Sequence, residues 1–114
     1  TWTGRLDSVR SITAAELKAG KADDAEVLDV RKPGEWEISH LKEARFIPLA
    51  DMPSNVTMLD KHNTYVVYCG GGYRSMTAIS LMRREGFTDL INVSGGFNAM
   101  VTAGLEIETE GVLN

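Results

Sequence analysis

One cysteine, three prolines, no basic tract and no long apolar run: the 114-residue sequence is defined first by what it has little of. A single thiol, on Cys69, excludes an internal disulfide and any zinc site built from several cysteines. If that thiol works, reducing surroundings suit it, which points to the cytoplasm, or to the periplasm if the chain is processed. No apolar run approaches the roughly 20 residues that cross a bilayer. No charged-then-apolar segment opens the chain as a secretion signal would. Thr1 stands where an initiator methionine would, which suggests a domain excised from a longer protein or a processed chain. Twelve Lys and Arg face 16 Asp and Glu, for a formal charge of -4. Nucleic-acid binding needs a local excess of cations to displace counterions, so that class of partner is disfavoured. One electropositive loop could still hold a small anion.

What is present suits one domain with one core: 43% of the residues are hydrophobic. No repeat, low-complexity tract or internal linker interrupts the chain. Residues 1–10 read as an arm, with a short strand near 6–10. TAAELKAG predicts a short helix with Thr13 as N-cap, Glu16 completing a capping box and Gly20 ending it. AEVLDV (25–30) is a short apolar run expected as a buried strand, and Pro33 suits the first turn of a helix after it. ARFIPL (44–49) is the next strand, and residues 54–60 one more short helix with Ser54 as N-cap. TYVVYC (64–69) is the strongest strand, being β-branched and aromatic. Residues 75–85 form a helix ended by Gly86, with Met76, Ile79 and Met82 as an apolar stripe read as core. DLINV (89–93) is a strand, GGFNAMVTAG a turn and last helix, and LEIETE a terminal strand or tail. Strands alternating with helices predict an α/β fold of three layers, a central, mainly parallel five-stranded sheet with helices on both faces. In such sheets functional groups gather outside the carboxyl ends of the strands. Cys69 ends one strand, and Asp29 and Arg31 lie at the end of another.

The stretch YCGGGYRS (68–75) places the one thiol, three glycines and a cation at a strand-to-helix junction. N–H groups at a helix start have no internal partner and carry partial positive charge. Glycines let a tight loop turn further N–H groups inward, making an anion cradle. A Cys69 thiolate inside it would be the anion stabilised. An ordinary cysteine titrates near about 8.5, and such surroundings lower that value, giving a nucleophile at neutral pH. A persulfide is an anion of similar size and would fit the same cradle. A lone cysteine at a strand end is usually a small core residue, and the glycines or Arg74 alone mean little. Their coincidence at one junction outweighs those separate readings. Neither nucleotide motif fits: no lysine follows the glycines as in a Walker loop, and Ser75 stands where a dinucleotide fingerprint needs glycine.

Three stretches, in order, resemble the rhodanese-like family of sulfurtransferases: VLDVRKPGEWEISHLKEARFIPL, YCGGGYRSMTAISLMRREGF and INVSGGFNAM. The resemblance covers about residues 12–100, leaving an arm at 1–10 and a tail at 101–114 of a single domain. It implies two-step nucleophilic catalysis, with Cys69 as nucleophile and Gly70, Gly71, Gly72, Tyr73, Arg74 and Ser75 as the active-site loop. Arg74 would shape the loop and attract anionic donors, and Ser75 would cap the helix. Sulfane sulfur would pass from thiosulfate or a persulfide to Cys69, then to a thiol or cyanide. No cofactor or metal is implied. The arginine is the fifth residue after Cys69, one fewer than in the related phosphatases and arsenate reductases, which favours sulfur over phosphate. Many thiosulfate-using members carry a basic residue after the cysteine; here it is Gly70. The expectation is weak thiosulfate activity and preference for a persulfide donor such as glutathione persulfide. The glycine-rich loop also resembles rhodanese domains appended to metallo-β-lactamase-fold persulfide dioxygenases, so an attached or separate sulfur-metabolism domain is an expected partner besides small sulfur donors and acceptors.

The supporting residues admit two readings each. Asp29 and Arg31 either form an ion pair that holds the active loop or are a solvated strand end, with Glu35 as a third member of such a network. Trp36 reads as a packing anchor, His40 as a structural hydrogen-bonding residue, and His62 as loop surface. Tyr73 and Phe97 read as pocket lining, and Gly95 and Gly96 as a turn. A family-typical aromatic is replaced by Met100, which questions one packing contact. Against the sulfurtransferase stand a sulfur carrier or regulatory interaction module and, third, a phosphatase or arsenate reductase.

Overall fold

The computed structural model describes residues 9–71 and 74–109. The strand expected near residues 6–10 runs instead over Arg10–Ile12 (β1) among these residues, and residues 6–8 lie outside them. Thr13 and Glu16 form the expected capping box at α1 (Ala14–Lys18), their side chains each accepting the other's backbone N–H at 3.0 and 2.9 Å. The chain then runs through β2 (Glu26–Asp29), α2 (Pro33–Ile38), β3 (His40–Leu41) and β4 (Arg45–Phe46). A 3-10 turn (Leu49–Asp51), α3 (Met52–Asn55) and a second 3-10 turn (Val56–Met58) follow. Next come β5 (Tyr65–Tyr68), α4 (Arg74–Arg84), β6 (Leu90–Val93), α5 (Gly96–Ala103) and β7 (Ile107–Glu108).

β1, β6, β5, β2 and β4 pair in that order, every pair parallel. β5 is the central strand, and all four of its residues are buried. Its alternation divides the core. Tyr65, Val67 and Cys69 face a cluster with Leu28, Met52, Ala78, Ile79 and Met82, under α3 and α4. Val66 and Tyr68 face another with Ile12, Ile91, Val93, Phe97 and Met100, under α1 and α5. This is the period-2 signature of a strand covered on both sides, and it delivers the predicted three layers. Burying each such aliphatic side chain contributes about 1.5–3 kcal/mol.

Three further expectations need correction. Ser54 sits inside α3 rather than capping a helix at 54–60, because Pro53 takes a first-turn position and the helix starts at Met52. The strand expected at 44–49 shrinks to Arg45–Phe46, since Pro48 has no N–H for a ladder and turns the chain into the 3-10 segment. In α4 the buried stripe is Ser75, Ala78, Ile79 and Met82, while Met76 is half-buried. Met100 is fully buried, so the missing aromatic leaves its place filled. The terminal LEIETE forms β7, which pairs antiparallel with β3 as a separate ribbon. No helix among the described residues is long and apolar enough to cross a membrane.

Candidate active site

Cys69 follows the last residue of the central strand, at the carboxyl edge where an open parallel sheet presents its functional groups. Its side chain lies on the α4 face and is 1% exposed. Helix α4 begins at Arg74, one residue earlier than expected. Ser75 is therefore inside the first turn, not its cap. Its hydroxyl is 3.8 Å from the Cys69 sulfur and donates to Asn92 Oδ1 at 2.6 Å. Asn92 Nδ2 in turn donates to Ser11 Oγ at 3.3 Å across the β1–β6 register. Gly70 and Gly71 are described; Gly72 and Tyr73, two of the loop residues expected from the sequence, lie outside the described residues.

Arg74 and Glu35 make a two-pronged ion pair, Nη1 to Oε1 at 3.0 Å and Nη2 to Oε2 at 3.4 Å. The Arg74 hydrogen bond holds the Glu35 carboxyl below the usual carboxylate range, against a smaller desolvation effect. The same bond holds Arg74 above its ordinary value, with the charge of Cys69 a lesser contributor. A side chain on Gly70 would meet both members of this pair, at 3.3 and 3.5 Å from its Cβ. Glu35 thus joins the loop arginine, not Asp29 and Arg31.

Asp29 and Arg31 are not a solvated strand end. They are 0% and 4% exposed and bound by Nε at 3.1 and 3.0 Å and by Nη2 at 2.8 Å. Asp29 also accepts the Arg31 N–H at 2.8 Å and the Tyr68 hydroxyl at 2.6 Å. Arg31 Nη2 reaches the Ser39 carbonyl at 2.7 Å. Burial pushes the Tyr68 phenol far up, and the Asp29 charge adds to it. The Arg31 guanidinium lies 4.0 Å above the Phe97 ring. Phe97 therefore belongs to the layer opposite Cys69 and does not wall the sulfur's side, contrary to expectation. Its backbone nevertheless reaches the site: the Phe97 N–H donates to the Cys69 carbonyl at 2.7 Å, and the Asn98 N–H to the Gly70 carbonyl at 3.4 Å. That approach needs Gly96. Its φ is +59°, and a Cβ there would stand 2.2 Å from the Cys69 carbonyl oxygen.

The remaining candidates are structural. Trp36 stacks on His40 with ring centroids 3.4 Å apart, and on Phe46 at 4.8 Å. His40 is buried, bonded to the Trp36 carbonyl at 2.8 Å and to Glu108 at 3.1 Å. His62 is exposed. A hollow of about 310 Å³ bounded by Leu17, Val27, Leu41 and Leu105 opens on the layer without the thiol, and among the described residues no hydroxyl, thiol or imidazole enters its walls. Sequence reasoning missed Asn92. The signal was available: one amide in the otherwise apolar run LINV of a buried strand.

The rhodanese-like domain family matches residues 13–103. A protein named sulfurtransferase from Allochromatium vinosum is 30% identical over 101 residues, covering 87% of this chain and 94% of the relative. A probable adenylyltransferase/sulfurtransferase, MoeZ, from Mycobacterium tuberculosis is 36% identical over 75 residues, covering 64% of this chain but 19% of the relative. The chain thus spans about a fifth of that protein's length. The crystal structure of a rhodanese-like domain protein from Staphylococcus aureus superposes with a TM-score of 0.77 at 32% identity, covering 89% of this chain and 100% of the other.

Proposed function

The chain belongs to the rhodanese-like family, whose relatives include named sulfurtransferases, and from that premise we propose that it moves sulfane sulfur through a persulfide on Cys69. The observation that carries the reading is the placement of the thiol. It directly follows the central strand, 3.8 Å from a buried hydroxyl in the first turn of α4, the helix that Arg74 opens. In the first step the Cys69 thiolate attacks the outer sulfur of a donor. For glutathione persulfide the S–S bond breaks and glutathione thiolate leaves; for thiosulfate, sulfite leaves. In the second step an acceptor thiolate, or cyanide, attacks the outer sulfur of the Cys69 persulfide, and the Cys69 thiolate returns. No net oxidation of the protein accompanies the cycle. Amides of the loop and the start of α4 would stabilise the anion in both forms.

The donor is a persulfide rather than thiosulfate. A doubly charged donor gains from uncompensated cation, and Arg74 is already paired with Glu35. Gly70 supplies no second charge. Intact mass after incubation with each donor tests the scheme. The expected result is one added sulfur, mapped to Cys69, absent in Cys69→Ser, with a lower Michaelis constant for glutathione persulfide than for thiosulfate. No sulfur uptake from any donor overturns the nucleophile. A lower constant for thiosulfate overturns only the donor assignment. Repeated turnover separates an enzyme from a carrier, which would load once and stall.

A further inference from the structure

We propose that Asn92 is a positioning residue that lets the Ser75 hydroxyl turn its proton toward the sulfur when Cys69 ionises. This rests on the reading of Cys69 as the nucleophile. The structure holds one sense of a hydrogen-bonded chain. Cys69 faces Ser75 Oγ at 3.8 Å, the Ser75 hydroxyl donates to Asn92 Oδ1 at 2.6 Å, and Asn92 Nδ2 donates to Ser11 Oγ at 3.3 Å. In this sense the serine presents a lone pair to the sulfur, which suits a thiol and opposes a thiolate. Ser75 is 0% exposed and Asn92 7%, so water does not readily replace either partner.

The chain can run the other way. A hydroxyl both donates and accepts, and a carboxamide has a donor and an acceptor of nearly equal size on one planar group. With the Asn92 amide turned over, Ser11 donates to Oδ1, Nδ2 donates to Ser75 Oγ, and the Ser75 hydroxyl donates to sulfur. Each of these three bonds is replaced by one of the opposite sense. The thiol proton leaves to solvent, and the rest is rotation about single bonds; no proton passes along the chain. Only a residue carrying both a donor and an acceptor can serve both senses. Ser11 lies directly across from Asn92 in the β1–β6 register, which places the second hydroxyl where reversal needs it. Arg74, which feels the charge of Cys69, and its partner Glu35 are not members of this chain of bonds.

The test is the pH profile of Cys69 alkylation by iodoacetamide in the whole chain, for wild type, Asn92→Asp, Asn92→Leu and Asn92→Asp combined with Ser75→Ala. A carboxylate only accepts, so Asn92→Asp fixes the serine proton away from the sulfur. Alkylation at pH 7 should slow about tenfold and the profile should move alkaline by about one unit, the weight of one hydrogen bond to an ionised group. Asn92→Leu removes this acceptor without fixing the serine proton away from the sulfur, so its profile should move less than that of Asn92→Asp. In the Ser75→Ala background, Asn92→Asp should add less than about twofold. A merely structural role predicts that leucine harms the profile at least as much as aspartate, and that result overturns the proposal. So does an Asn92→Asp effect that persists in full without Ser75, which would be direct repulsion. Wild type that resists alkylation at every pH overturns the nucleophile reading itself, a failure distinct from either.

Discussion

On one face of the sheet, Asp29, Arg31 and Tyr68 are joined by short, charge-assisted bonds and capped by the Phe97 ring. On the other, Cys69, Ser75, Asn92 and Ser11 form a chain with no formal charge on its amide and hydroxyls. Both faces satisfy their buried polar groups: among the described residues no buried side-chain nitrogen or oxygen lacks a partner. The difference lies in what each can do afterwards. A buried ion pair has one good arrangement and a steep penalty for losing a member. Hydroxyls and an amide have two arrangements of nearly equal quality. The first network can fix a backbone and do no chemistry, and the second can follow a change of charge on sulfur. The largest expected effect follows. Asp29→Ala leaves Arg31 buried without its counter-charge and should cost about 3–5 kcal/mol in urea unfolding. Asp29→Leu with Arg31→Met should cost clearly less. Asn92→Leu, in the network of hydroxyls and amide, should cost only about 1 kcal/mol. Equal losses from Asp29→Ala and Asn92→Leu would erase the distinction.

The two faces meet at Gly96. Through it, the amides of Phe97 and Asn98 hold the carbonyls of Cys69 and Gly70, so a layer that carries no thiol sets the backbone on which the thiol stands. Gly96→Ala places a methyl against that carbonyl and keeps an L-residue at positive φ; the expected cost is about 2–4 kcal/mol, with sulfur uptake falling alongside. Gly71→Ala is the control. Its Cβ would meet nothing within 4 Å, and its stability should stay within about 0.5 kcal/mol of wild type. If the two substitutions cost the same, the clamp across the sheet is not what Gly96 provides.

Much of this was legible beforehand, for reasons that can be named. The capping box at Thr13, the β-branched run before Cys69 and the glycines after α1 and α4 are local signals, and local signals survive reading one residue at a time. The ribbon of β3 and β7 was not fully readable, because two-residue strands carry no period and their His40–Glu108 contact spans 68 positions. The partner of Glu35 escapes the sequence for a related reason. Composition shows which charges exist, and only the fold shows that α2 faces the start of α4 rather than the end of β2. Asp29 and Arg31 could not be separated from a solvated pair without Tyr68 and Phe97, which reach them from β5 and α5.

The smallest effects come from titration and divide by place. Tyr68 is buried and its phenol is held far above its ordinary value by that burial, so the folded chain keeps a proton that the unfolded chain releases near pH 10. Its share of stability is fully present below that pH and is lost as the solution becomes more alkaline; Tyr68→Phe should remove this part of the alkaline loss. Glu35 is depressed instead, by Arg74. Its contribution is present above its ordinary value of 4.5 and is lost as pH falls through the lower folded value. Arg74 and Glu35 are 33% and 39% exposed, so solvent screens the pair and its contribution should be at most about 1 kcal/mol. Urea unfolding of wild type and Glu35→Gln should differ by that small amount at pH 6, and the gap should narrow as pH falls through the folded value. A gap that does not narrow with acid would mean that Glu35 acts through packing, because a protonated carboxyl and an amide present Arg74 with the same neutral neighbour.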